Sequence, residues 1–215
     1  MPINRSSFAI AALVASVVLG DVVLAQTLPT TSPVTPPAGG RGGGGGGRAP
    51  MRVMSLTSSA FADGGMISLK HAQAGHDVSP PLSWTGAPDS TRSFVLMVHD
   101  PDAATGDGTD DMLQWMVWNI PGTATSLPEG FPQGSQAPDN IRQLSGTGPF
   151  YRGPAAPSTG PAHHYVFELY ALDATINVTA AGQQTAPTRA AIMQAMQTHV
   201  RGKGVLVGLY KRPAP

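Results

Sequence analysis

Six consecutive glycines, Gly42 to Gly47, follow Gly39-Gly40-Arg41 and a Thr/Pro-rich run that starts at Gln26. Such a stretch has no side chain to bury and a large backbone entropy to lose, so it cannot belong to a packed core. It predicts an unstructured tether over residues 26–50 and confines folding to residues 51–215. The remaining length suits one domain with a single hydrophobic core.

Residues 1–25 read as a signal peptide. Arg5 gives a positive start, Phe8 to Gly20 form an apolar run, and Val23-Leu24-Ala25 offers a small-residue cleavage site before Gln26. The run is too short and alanine-rich to span a bilayer well, which favours removal over a retained anchor. The expected location is periplasmic or secreted, with no stable membrane insertion after processing. Thirteen basic and thirteen acidic residues cancel, so no long-range field points to nucleic acid. The absence of cysteine excludes disulfides, thiolate nucleophiles and cysteine-ligated metals.

Within the folded unit the apolar runs are short and strand-like. Arg52 to Leu56, Ser93 to Val98, Leu113 to Ile120, Tyr165 to Leu172 and Val205 to Tyr210 are separated by Gly/Pro/Asp-rich loops. This pattern predicts a mainly β architecture. One segment differs: Pro187 suits a first helical turn, and Ile192, Met196 and Val200 recur at spacing four, which predicts a helix up to Arg201 that Gly202 stops.

Three polar constellations could carry chemistry. Asp100-Pro101-Asp102 follows an apolar strand, where its carboxylates could order a loop, hold a cation or orient a ligand donor. Asp107, Asp110 and Asp111 lie near, but the spacing does not fit the usual calcium loop. His163-His164-Tyr165 opens a strand, with His163 and Tyr165 on one side and His164 on the other. These groups could grip a phosphate or carboxylate, or simply fix a loop. Gly75 to Trp84 combines polar residues with the stiff pair Pro80-Pro81, as a loop of fixed shape would require. No HExxH helix, G-x-S-x-G elbow, P-loop or dinucleotide fingerprint is present, and no cofactor or metal is expected.

Four ordered motifs converge on one family: Asp77-Val78-Ser79-Pro80-Pro81-Leu82-Ser83-Trp84, Asp100-Pro101-Asp102-Ala103, Trp115 to Pro121, and His163 to Asp173. From Leu56 to Tyr210 the chain resembles the phosphatidylethanolamine-binding protein family, and within it the bacterial branch labelled Raf kinase inhibitor-like. The resemblance implies a β-sandwich-like fold with a large central sheet, a smaller sheet and peripheral helices. It also implies a small anion-binding pocket that receives a phosphate-bearing group. By motif, Asp100 matches the pocket aspartate, His163 the pocket histidine and Tyr165 the tyrosine. Gly153 and Pro154 match the glycine-proline wall, and Pro101 and Asp102 complete the adjoining loop.

Two positions depart from that pattern. Gln114 stands before Trp115 where the family carries histidine, and His164 stands where an arginine is usual. Glutamine cannot become cationic, which predicts either weaker and less pH-dependent anion binding or a pocket that prefers another ligand. Our sequence reading is therefore an exported, non-enzymatic binding protein. In it, Gln114, His163 and Tyr165 bond a small anionic or phosphate-bearing molecule while Asp100 fixes donor geometry. The alternative is a protein interaction module that inhibits a protease or other enzyme through the Pro154 to Pro161 loop. Hydrolysis ranks third, since it needs a base paired with a reactive hydroxyl. A chain beginning at Met51 is expected to melt within about 2 °C of the mature protein in calorimetry, because a shift of about 1 kcal/mol moves a domain of this size by roughly 2–4 °C or more.

Overall fold

The computed structural model describes residues 50–105, 108, 110–134, 137–179 and 185–214. The segment read as a signal peptide, nearly all of the expected tether and Asp107 lie outside the described residues. Two sheets carry the folded unit. The larger has seven strands and contains β1 (Arg52–Val53), β3 (Gly65–Met66), β5 (Ser93–Thr105), β6 (Asp110–Pro121), β8 (Arg142–Leu144), β9 (His163–Leu172) and β10 (Val200–Tyr210). Its path runs β1-β10-β9-β5-β6-β8, with β3 also pairing to β10. The smaller joins β2 (Ser55–Thr57), β4 (Leu82–Thr85) and β7 (Ser126–Leu127) in the order β2-β4-β7. This is the mainly β architecture that the apolar runs predict, with the large and smaller sheets that the resemblance implies.

Strand alternation builds two cores. Phe94, Leu96 and Val98 of β5, with Phe167 and Leu169 of β9, face the small sheet and pack with Leu56, Leu82 and Trp84. Val95 and Met97 point the other way, where Met116, Trp118 and Leu172 meet the helix α1 (Thr185–Met196) through Ile192 and Met196. Successive side chains of a strand fall on opposite faces, so β5 and β9 are covered on both sides and read as continuous apolar runs. Close approach replaces side chains on β10: a Cβ on Gly208 would stand 2.5 Å from Ile67 Cδ1.

The structure corrects three boundaries. The segment from Arg52 divides at Met54, so β1 joins the large sheet and β2 the small one. The helix ends at Met196 instead of running to Arg201, and β10 begins at Val200. Pairing decides this: Val200 lies opposite Leu172, and Asp173 binds both His199 and Arg201 at the corner. Asp100-Pro101 does not end β5, which continues to Thr105 and turns into β6. No helix of the described residues is long and apolar enough to cross a membrane.

Polar groups on the outer face are paired among themselves. Asp111 binds His99 and Arg189, while Glu168 accepts from Lys203 and Tyr170. These contacts fasten α1 to β6 and β9 to β10. Ile192, fully buried beneath the helix, is a main anchor of α1. Ile192→Ala is expected to lower the unfolding free energy by about 2–5 kcal/mol in a urea titration, with little change in slope.

Candidate functional site

Pro101 has no N–H, and a proline fits a sheet only where the ladder is interrupted. The β5–β9 register accordingly stops at His99 opposite Val166. Beyond that point the Asp102 side chain takes over, its Oδ2 accepting the His164 backbone N–H at 2.7 Å and His164 Nδ1 at 2.8 Å. The backbone bond from His164 is the foremost reason that the Asp102 carboxyl lies below its ordinary range.

Asp100 sits on the inward face, only 2% exposed. Its Oδ1 accepts the N–H groups of Asp102 and Ala103, both at 3.0 Å, and its Oδ2 meets His163 Nδ1 at 3.0 Å. The Tyr165 hydroxyl, close to Asp100, accepts Ala155 N–H at 3.1 Å and Ala156 N–H at 3.0 Å. Burial pushes the Tyr165 phenol well above its ordinary value, with nearby Asp100 adding to the effect. His163 is thereby turned so that Nδ1 donates to Asp100. Nε2 is the ring nitrogen without a protein partner among the described residues.

These groups border a cavity of about 180 Å³. Its polar lining is Gln73, Asp100, Gln114, Arg152, His163 and Tyr165. Ala103, Met112, Ala155, Ala156 and Pro157 complete it with small or apolar surface. Pro101 and Asp102 stand behind the lining and shape the loop. Gly153 and Pro154 likewise form the back of the wall and do not line the cavity.

That wall is held from three sides. Asp77, whose backbone has φ 56°, accepts the Gly153 N–H at 2.5 Å. Gln73 donates from Nε2 to the Gly153 carbonyl at 2.7 Å and from its backbone N–H to the Pro154 carbonyl at 3.0 Å. With its amide oriented as its partners require, Gln114 Nε2 donates to the carbonyls of Gly153 and Arg152, both at 3.2 Å. The Gln114 amide and the Tyr165 hydroxyl therefore hold the wall as well as lining the cavity.

Sequence reasoning missed Arg152, the one guanidinium on the cavity. Its signal was position: it immediately precedes the Gly153-Pro154 wall. The lining also shows no serine or threonine hydroxyl among the described residues. No group of three or more His, Asp or Glu among the described residues is arranged to hold a metal ion.

The fold and this pocket define a class of binding protein, and comparison with known proteins gives its family. The phosphatidylethanolamine-binding protein model matches residues 57–211, and the chain belongs to that family. It is 36% identical over 161 residues to a UPF0098 protein of Methanothermobacter thermautotrophicus, covering 74% of this chain and 99% of that one. The UPF0098 protein YbhB of Escherichia coli is 38% identical over 130 residues, which are 56% of this chain and 78% of YbhB. Among solved structures, YbcL of Escherichia coli, described as a member of the mammalian PEBP family, matches with a TM-score of 0.62 at 26% identity. That match covers 74% of this chain and 98% of YbcL.

The wall leaves no room at Gly153, where a Cβ would lie 2.1 Å from the His71 carbonyl oxygen and 2.7 Å from Asp77 Oδ1. Gly153→Ala is expected to cost about 1–3 kcal/mol in denaturant unfolding, the range for forced overpacking. It should also broaden or shift the amide resonances of Gln73 and Gln114.

Proposed function

We propose that this chain is an exported, non-enzymatic binding protein whose cavity takes a small anion or a phosphate-bearing group. The observation that carries the reading is the Asp100–His163 pair. A buried carboxylate holds Nδ1, so Nε2 is left as the polar atom of His163 available to a ligand at the cavity. Protonated, that nitrogen donates to an anionic oxygen; neutral, it accepts from a ligand hydroxyl. Asp100 and Tyr165 are each bonded to more than one partner, which holds the surroundings in place, and a preformed pocket binds without a large ordering cost. Export is inferred from the leader-like residues 1–25 alone.

Binding is favoured over hydrolysis because no serine or threonine hydroxyl lines the cavity among the described residues, and the Tyr165 hydroxyl already accepts from two amides. The protein-interaction alternative rests on the Pro154 to Pro161 loop. Pro154 and Ala156 are buried in the wall, while Pro157, Thr159, Gly160 and Pro161 are exposed and form the part that a protein partner could reach.

NMR titration of the mature protein with phosphate, phosphoethanolamine and acetate tests the pocket. Saturable shifts at His163 and Tyr165 are expected with the phosphate-bearing probes, and loss of those shifts in His163→Ala and Asp100→Asn. A folded sample without saturable shifts would rule out the phospho-ligand reading and favour the exposed loop.

A further inference from the structure

Anion binding through His163 alone has a built-in limit. An imidazole is cationic only below its ordinary pKa of about 6.5, and Asp100 places a carboxylate directly behind it. Once the imidazole is neutral, that carboxylate would repel an anion. Gln114 cannot offset the repulsion, since its amide carries no charge and both of its hydrogens are spent on the wall.

Arg152 can. It lines the same cavity, is half-buried, and forms no ion pair among the described residues. The segment carrying it is fixed at its carbonyl by Gln114 and at the next residue by Asp77 and Gln73. A guanidinium stays protonated throughout the accessible pH range and presents a planar fork suited to two oxygens of a phosphate or carboxylate. Burying a cation part-way without a counter-charge is costly, and an arriving anion removes that cost.

We infer that Arg152 is the residue that determines charge selectivity in this pocket, holding an oxyanion between its guanidinium and His163 so that binding persists when the histidine is neutral. This inference rests on the anion-pocket reading above. The groups that set its pH dependence are Asp100 from β5, His163 and Tyr165 from β9, and Arg152 itself. Behind the wall stand Asp77 and His71, the latter bonded through Nδ1 to the Val78 carbonyl. Of the side-chain types bordering the cavity, imidazole alone changes charge near neutrality. Loss of the guanidinium should therefore turn nearly pH-independent binding into binding confined to acid.

Sulfate is a suitable probe because its charge is the same on both sides of neutrality. Calorimetric titrations of the native mature chain at about pH 5.5 and about pH 8.5, either side of the ordinary imidazole pKa, should both saturate. Arg152→Gln should still bind at the lower pH but lose about tenfold or more in affinity at the higher, the scale of a lost charged hydrogen bond. Arg152→Lys should retain saturable binding at the higher pH, since it keeps the charge. An Arg152→Gln protein with native melting behaviour and an affinity within about twofold of the native chain at the higher pH would overturn the inference and leave the pocket reading intact. A native chain that fails to saturate at either pH would defeat the pocket reading and this inference together.

Discussion

The Asp100 carboxylate is the constraint on which the site is built. A carboxylate at 2% exposure is tolerated only when its oxygens are fully met. Here they are met from two strands: the end of β5 supplies two N–H groups, and β9 supplies His163. The demand for partners explains why His163 adopts one tautomer-defining contact. Tyr165 stands close to the same carboxylate, and its hydroxyl ties the 155–156 segment to β9. Sheet, loop and wall thus converge on one buried charge.

The adjacent Asp102–His164 pair shows what burial adds. Both pairs join an aspartate of β5 to a histidine of β9 through Nδ1, at 3.0 Å for Asp100–His163 and 2.8 Å for Asp102–His164. The inward pair is shielded and borders a cavity; the outward one is open to water, with His164 56% and Asp102 41% exposed. In solvent such a pair contributes little beyond local order. Similar chemistry one or two residues on therefore gives a cavity-facing group on one side of the sheet and a surface contact on the other.

Long apolar runs made β5, β6 and β9 legible in the sequence, and the alternation of His163, His164 and Tyr165 correctly placed the first and third on the pocket side. Strands of two to four residues carried no readable period, which is why β3, β4, β7 and β8 were not anticipated. The helix end was misread because Val200 continues the spacing of Ile192 and Met196, while its pairing with Leu172 is a long-range fact. Asp100 was legible as a site residue by resemblance. The task of Gln114 was not, because it depends on carbonyls brought in by a distant loop. Arg152 was passed over because a lone arginine in a loop has no distinguishing pattern.

The floor and the wall of the cavity differ in how they are held. Asp100, His163 and Tyr165 belong to strands whose displacement would disturb the large sheet, whereas residues 152–157 are secured chiefly by side-chain and loop bonds. Changes at Arg152, Ala155 or Pro157 would leave every strand pairing in place. The cavity consequently has a short mutational route to a different lining: its hydrogen-bonded floor stays constant while the charge and width of its rim are free to drift.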